Sequence, residues 1–115
     1  PDMRVGNLDA RRDLTDVRDV VDAYLRIMND GTSGAAYNVC SGRAYRIGDL
    51  LDTLRGLASV SITTSTDPDR MRPSDIPVLL GNATRLQETL GWTPAIPIEV
   101  TLADTLAWWR AEVTR

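Results

Sequence analysis

Apolar positions recur at helical spacing in well-separated stretches of the chain. Val17, Val20, Val21, Tyr24, Leu25 and Met28 fall on one face of a helix that Thr15 or Asp16 would cap and Gly31 would end. Ile47, Leu50, Leu51, Leu54 and Ala58 repeat the pattern. Asn82 is placed to cap a helix through Leu90 that stops at Gly91. A last helix begins near Ile98 or Glu99, with Leu102, Leu106, Trp109 and Val113 as its stripe, Trp108 beside it, and Arg110 and Arg115 near the negative end of its dipole.

Between these helices the pattern shortens. An apolar start at Met3 to Val5 leads through Gly6-Asn7 into a charged loop, Asp9 to Asp13. Ala35 to Cys40, between Gly34 and Ser41-Gly42, reads as a short strand, and so do the β-branched run Val60 to Thr64 and the brief segment Val78 to Leu80. Asp67 to Pro77 carries three prolines and five charges, which predicts a loop. Short strands alternating with about four helices indicate an α/β layer structure, and no internal repeat interrupts it.

Composition narrows the function classes. A chain of 115 residues, 43% hydrophobic, can bury one modest core, so residues 1–115 form a single domain or a piece of one. Thirteen basic residues against 16 acidic ones give no basic face for nucleic acid. No apolar run approaches the roughly 18 residues of a membrane span and no signal peptide is evident, so a soluble, cytoplasmic protein is expected. Cys40 stands alone and histidine is absent, which removes an internal disulfide, the usual zinc sites and a Ser-His-Asp triad. All the basic residues are arginine, with no lysine.

Read from the residues alone, the candidates have plain structural explanations. Arg12 could pair with Asp9, Asp13 or Asp16 on a solvated loop, and Arg72 could be ordinary surface. Asp13 and Asp16 could be paired catalytic carboxylates, but the helix beginning beside them accounts for them through capping and the dipole. Cys40 is expected to be a small buried side chain rather than a nucleophile, having no histidine or lysine to lower its pKa. Core packing is expected for Trp92, Trp108 and Trp109.

Four motifs in order add to this reading. The stretch Gly6-Asn7-Leu8-Asp9-Ala10-Arg11-Arg12-Asp13-Leu14-Thr15-Asp16-Val17-Arg18-Asp19 resembles a segment of the extended short-chain dehydrogenases, the NAD-dependent epimerase/dehydratase family. The likeness continues in Tyr37-Asn38-Val39-Cys40-Ser41-Gly42, in Arg72-Pro73-Ser74-Asp75-Ile76-Pro77 and in Leu90-Gly91-Trp92-Thr93-Pro94. More narrowly it is similar to the GDP-4-keto-6-deoxy-mannose reductases and the GDP-mannose 4,6-dehydratases, the reductases being the first choice. The resemblance implies the C-terminal, substrate-binding part of a Rossmann-type enzyme that acts on a GDP-sugar with NAD(P). It implies that Arg12 and Arg72 reach the diphosphate, for which forked guanidinium donors suit paired oxygens, and that Asp75 accepts from the ribose hydroxyls. Arg70, beside this motif, receives no role from it.

Other parts of such an enzyme are missing from this sequence. There is no glycine-rich turn to receive a dinucleotide pyrophosphate. Tyr24, Tyr37 and Tyr45 have Met28, Ser41 and Asp49 four residues on, where the family uses lysine. No catalytic, cofactor-binding or metal-binding residue is therefore assigned, and the chain is expected to be the GDP-sugar-binding fragment of an enzyme whose N-terminal cofactor domain is absent. In the resembled family the first helix and the strand after it lie against that domain, so self-association, as a homo-oligomer, or changed packing is expected. The alternative is a stand-alone nucleotide-binding or protein-interaction module.

Overall fold

The computed structural model describes residues 1–73 and 75–115. Five short strands, β1 (Asp2–Val5), β2 (Arg11–Asp13), β3 (Ala44–Arg46), β4 (Thr63–Thr66) and β5 (Val78–Leu79), alternate with four helices, α1 (Val17–Asp30), α2 (Ile47–Gly56), α3 (Thr84–Leu90) and α4 (Ile98–Val113). The architecture is α/β, as the pattern predicts, in two small sheets. β1 runs parallel to β4, with Asp2 opposite Thr63 and Val5 opposite Thr66. β2 lies between an antiparallel β3, with Arg12 opposite Tyr45, and a parallel β5, with Arg12 opposite Leu79.

Several elements depart from expectation. The charged run that reads as a loop becomes a strand at 11–13, because β3 and β5 take its backbone groups on both sides. The strand expected at Val60 to Thr64 is β4 and begins at Thr63, where the threonines meet β1. Ala35 to Cys40 is not in a strand, since no neighbouring strand pairs with it among the described residues.

The helix ends follow local chemistry. Asp16 caps α1, its carboxylate accepting from the Arg18 amide at 2.9 Å, and Gly31 ends that helix in extended backbone. α2 has no side-chain cap. Its first amides are taken by the chain before β2, Ile47 N donating to Ala10 O at 3.0 Å and Gly48 N to Leu8 O at 2.8 Å. Asn82 Oδ1 accepts from Thr84 N at 2.9 Å at the start of α3, and Gly91 closes that helix at φ 67°, in the left-handed region that favours glycine.

The core is small. Ala23, Ala83, Leu86 and Trp92 are buried together, flanked by Ile27, Tyr37, Val39, Cys40 and Leu90. Trp92 is fully enclosed, and its indole N–H donates to Asp19 O at 2.9 Å. Trp108 and Trp109, expected in the core, are instead 56% and 57% exposed, packed edge to face at 4.9 Å. The apolar stripe of α1 is likewise open: α1 docks on the core through Ala23 and leaves Val17, Val21, Tyr24, Leu25 and Met28 outward, Met28 at 82%.

Exposure on this scale shows in the whole molecule. The accessible surface is 8182 Å², against about 6,200 Å² for a compact monomer of this mass. The radius of gyration is 17.2 Å, where about 13 Å is usual for this length. Leu86→Ala is therefore expected to cost about 3 kcal/mol, while Val21→Ala on the open stripe costs less than about 0.5 kcal/mol. Urea denaturation of the two variants checks this, and equal losses would place the α1 stripe in the core.

Candidate functional site

β2, the loop after it and the first turn of α1 carry four residues whose side chains reach distant parts of the chain. The first is Arg12. Its Nη2 meets Asp75 Oδ1 at 2.7 Å, across 63 residues of sequence, and its Nη1 donates to Ile76 O at 2.7 Å and to Arg11 O at 2.8 Å. The Arg12 and Asp75 side chains are 25% and 26% exposed, so the pair is sheltered yet reachable from solvent. Two of the five guanidinium donor positions have no partner among the described residues.

Asp75 is held from a second side. Asn7 Nδ2 donates to Asp75 Oδ2 at 3.2 Å, and Asn7 Oδ1 accepts from Asp9 N at 2.9 Å. Gly6 allows this approach: a Cβ there would stand 2.5 Å from Arg70 O. Arg72 lies on the same loop, its carbonyl accepting from Asp75 N at 3.3 Å, and its exposed side chain has no hydrogen-bond or ion-pair partner among the described residues. Ser74, within this motif, lies outside the described residues. The fold thus joins Arg12 to Asp75 directly and carries Arg72 on the same loop as Asp75, three residues before it.

The other three side chains are Asp13, Asp16 and Asp19. Asp13 accepts from the Ser41 amide at 2.8 Å, the Ser41 hydroxyl at 2.6 Å, the Gly42 amide at 2.9 Å and the Gly81 amide at 3.2 Å. Burial would raise its pKa, but the Ser41 hydroxyl and the three amides outweigh that and leave it below the ordinary value. Asp16 takes Arg18 Nε at 3.0 Å and Thr101 Oγ1 at 2.6 Å. The Arg18 guanidinium above all, with Thr101 and the Arg18 amide, holds it well below the usual carboxylate range. Asp19 accepts from Ala95 N at 3.1 Å and Ile96 N at 2.9 Å. These carboxylates are engaged as structural acceptors: Asp16 caps α1 as expected, whereas Asp13, in β2, caps no helix and instead takes the amides of Ser41, Gly42 and Gly81. Cys40 is half-buried, and burial together with the Asp13 charge pushes its thiol up, away from a reactive thiolate.

A separate cleft of about 420 Å³ opens between the β2–α1 junction and the start of α4, lined by Thr15, Arg43, Tyr45 and Glu99 among others. Arg12, Arg72 and Asp75 do not line it. Sequence reasoning missed Asn7 and Gly6 as parts of the site, although both stand at the head of the first motif. No helix among the described residues is long and apolar enough to cross a membrane.

The α/β arrangement, with Trp92 enclosed and the Arg12–Asp75 pair at its rim, is that of a portion of an extended, Rossmann-type short-chain dehydrogenase/reductase. The sequence matches the family model described as GDP-mannose 4,6 dehydratase over residues 1–105, and the chain belongs to that family. It is 40% identical over 111 residues to the GDP-6-deoxy-D-mannose reductase of Pseudomonas aeruginosa, covering 96% of this chain and 36% of that protein. It superposes on the structure of RMD from Pseudomonas aeruginosa complexed with NADPH with a TM-score of 0.89 at 37% identity, over 96% of this chain and 36% of that one. UDP-glucose 4-epimerase from Bifidobacterium longum, in complex with NAD+ and UDP, shares the fold with a TM-score of 0.80 at 21% identity, over 96% of this chain and 35% of that one. The chain thus spans little more than a third of the length of these relatives.

The depressed carboxyls fix a pH dependence. A group that titrates lower in the folded chain than in the unfolded one adds stability above the unfolded value, about 4 for Asp, and loses it as the pH falls below that toward the folded value. Stability is expected to fall steeply below about pH 4, and Asp16→Asn to flatten that acid limb. Urea midpoints measured from pH 5 to pH 2 check this, and an unchanged acid slope in the variant would remove Asp16 from the account.

Proposed function

We propose that the protein is the GDP-sugar-binding part of an NAD(P)-dependent nucleotide-sugar enzyme, a GDP-4-keto-6-deoxy-mannose reductase or a GDP-mannose 4,6-dehydratase. The observation that carries this is the 2.7 Å Arg12–Asp75 pair, with Arg72 on the same loop as Asp75. Arg72 and the free donors of Arg12 are suited to diphosphate oxygens, and Asp75 retains acceptor capacity for ribose hydroxyls. The family membership and the 40% identity to a GDP-6-deoxy-D-mannose reductase support the GDP-hexose reading.

This chain's own residues do not fit a nicotinamide cofactor. No glycine-rich turn leads from a strand into a helix among the described residues, and the sequence contains no lysine to partner a tyrosine. No redox step is assigned to them. The cofactor belongs, in this reading, to an N-terminal domain that covers the α1 stripe and the unpaired 35–40 segment, in a cytoplasmic homo-oligomeric enzyme. The surface excess of roughly 2,000 Å² is more than the roughly 800 Å² that one partner contributes to an ordinary protein interface. Sedimentation of the 115-residue chain is expected to show self-association through that open surface, and a monodisperse monomer would count against the covering role.

Titration of GDP-mannose by calorimetry tests the site. Arg72→Ala is expected to weaken binding by about 1.5 to 3 kcal/mol, and Asp75→Asn by less, since the amide keeps one acceptor. Unchanged affinity in Arg72→Ala would sink the clamp. The 115-residue chain with NADPH and a GDP-hexose is expected to show no turnover, and nicotinamide-dependent turnover by it would overturn the division of labour.

A further inference from the structure

Asp75 has a carboxylate held by donors on two different oxygens, and the second donor, Asn7, has no part in the clamp proposed above. We infer that Asn7 is a positioning residue: it fixes the plane of the Asp75 carboxylate so that its free acceptor sites face a nucleotide ribose diol. The inference rests on the nucleotide-binding reading of the rim.

The orientation of the Asn7 amide is determined at its other end. Because Oδ1 accepts from Asp9 N at 2.9 Å, Nδ2 is the atom that faces Asp75, to which it donates at 3.2 Å. That bond links residues 68 apart in sequence and ties the β1–β2 loop to the loop carrying Arg72 and Asp75. Arg12 alone would hold only Oδ1, leaving the carboxylate free to turn about its broad terminal torsion. With Asn7 on Oδ2, both oxygens are anchored and the plane is set. A carboxylate offers about four acceptor sites, so one donor on each oxygen leaves an adjacent pair open. Two neighbouring hydroxyls fill such a pair, and a single phosphate oxygen, itself an acceptor, does not. Gly6 keeps this geometry, since the backbone of Arg70 approaches it too closely for any side chain.

The test separates this role from a merely structural one by reading selectivity for the diol. GDP and 2′,3′-dideoxy-GDP are titrated into the unaltered protein and into Asn7→Ala, Asn7→Asp and Asp75→Ala, each variant first checked by circular dichroism. The unaltered protein is expected to prefer GDP by about tenfold, and Asp75→Ala to abolish the preference. Asn7→Ala is expected to cut it to about threefold or less while affinity for the dideoxy nucleotide stays within about twofold. Asn7→Asp, nearly the same shape with a like charge against Asp75, is expected to lose at least as much, and it decides the matter if Asn7→Ala does not fold. If Asp75→Ala abolishes the preference and the Asn7 variants retain it, the positioning role is overturned and the nucleotide reading stands. If the unaltered protein shows no preference, or does not bind GDP, the nucleotide reading itself fails.

Discussion

A carboxylate withdrawn from water is tolerated only where donors replace the water it loses, and β2 with the first turn of α1 presents three such groups at intervals of three residues. Asp13 gathers the amides of Ser41, Gly42 and Gly81; Asp16 caps α1 and receives Thr101 from α4; Asp19 receives the amides of Ala95 and Ile96. Through these bonds one short stretch ties down the loop before β3, the chain just after β5 and the start of α4. The Arg12 rim inherits its position from the same strand, because Arg12 precedes Asp13 and β3 and β5 flank it. The chemistry of the site and the closure of the fold are therefore one arrangement of charges with two outlets.

Apolar packing has a lesser share than usual. Four residues form the enclosed cluster, while α1 turns its richest stripe outward and α4 does the same with two tryptophans. Polar closure and open apolar surface thus fall on different parts of a chain that spans about a third of the length of its relatives.

What the sequence discloses depends on how local its cause is. The stop at Gly91, the cap at Asp16 and the extent of α4 follow from neighbours within one helical turn, and they are legible. β2 is not, because a run of arginine and aspartate becomes a strand only when partners 33 and 67 residues away take its backbone groups. The stripe of α1 is legible as apolar, but periodicity cannot say what covers it, and here nothing does. The same blindness placed Trp108 and Trp109 in the core. Arg12, Arg72 and Asp75 became candidates through motif resemblance, whereas Asn7 gave no signal beyond its place beside Gly6, since its partner is 68 residues distant.

The three aspartates also bear on the order of events as the chain leaves the ribosome. They emerge early and wait: Asp16 for Thr101, which comes 85 residues later, and Asp19 for Ala95 and Ile96, later by 76 and 77. At translation rates of about 5 to 20 residues per second, those carboxylates remain hydrated for several seconds while helices form around them. Only the arrival of residues 95–101 supplies the donors that replace that water.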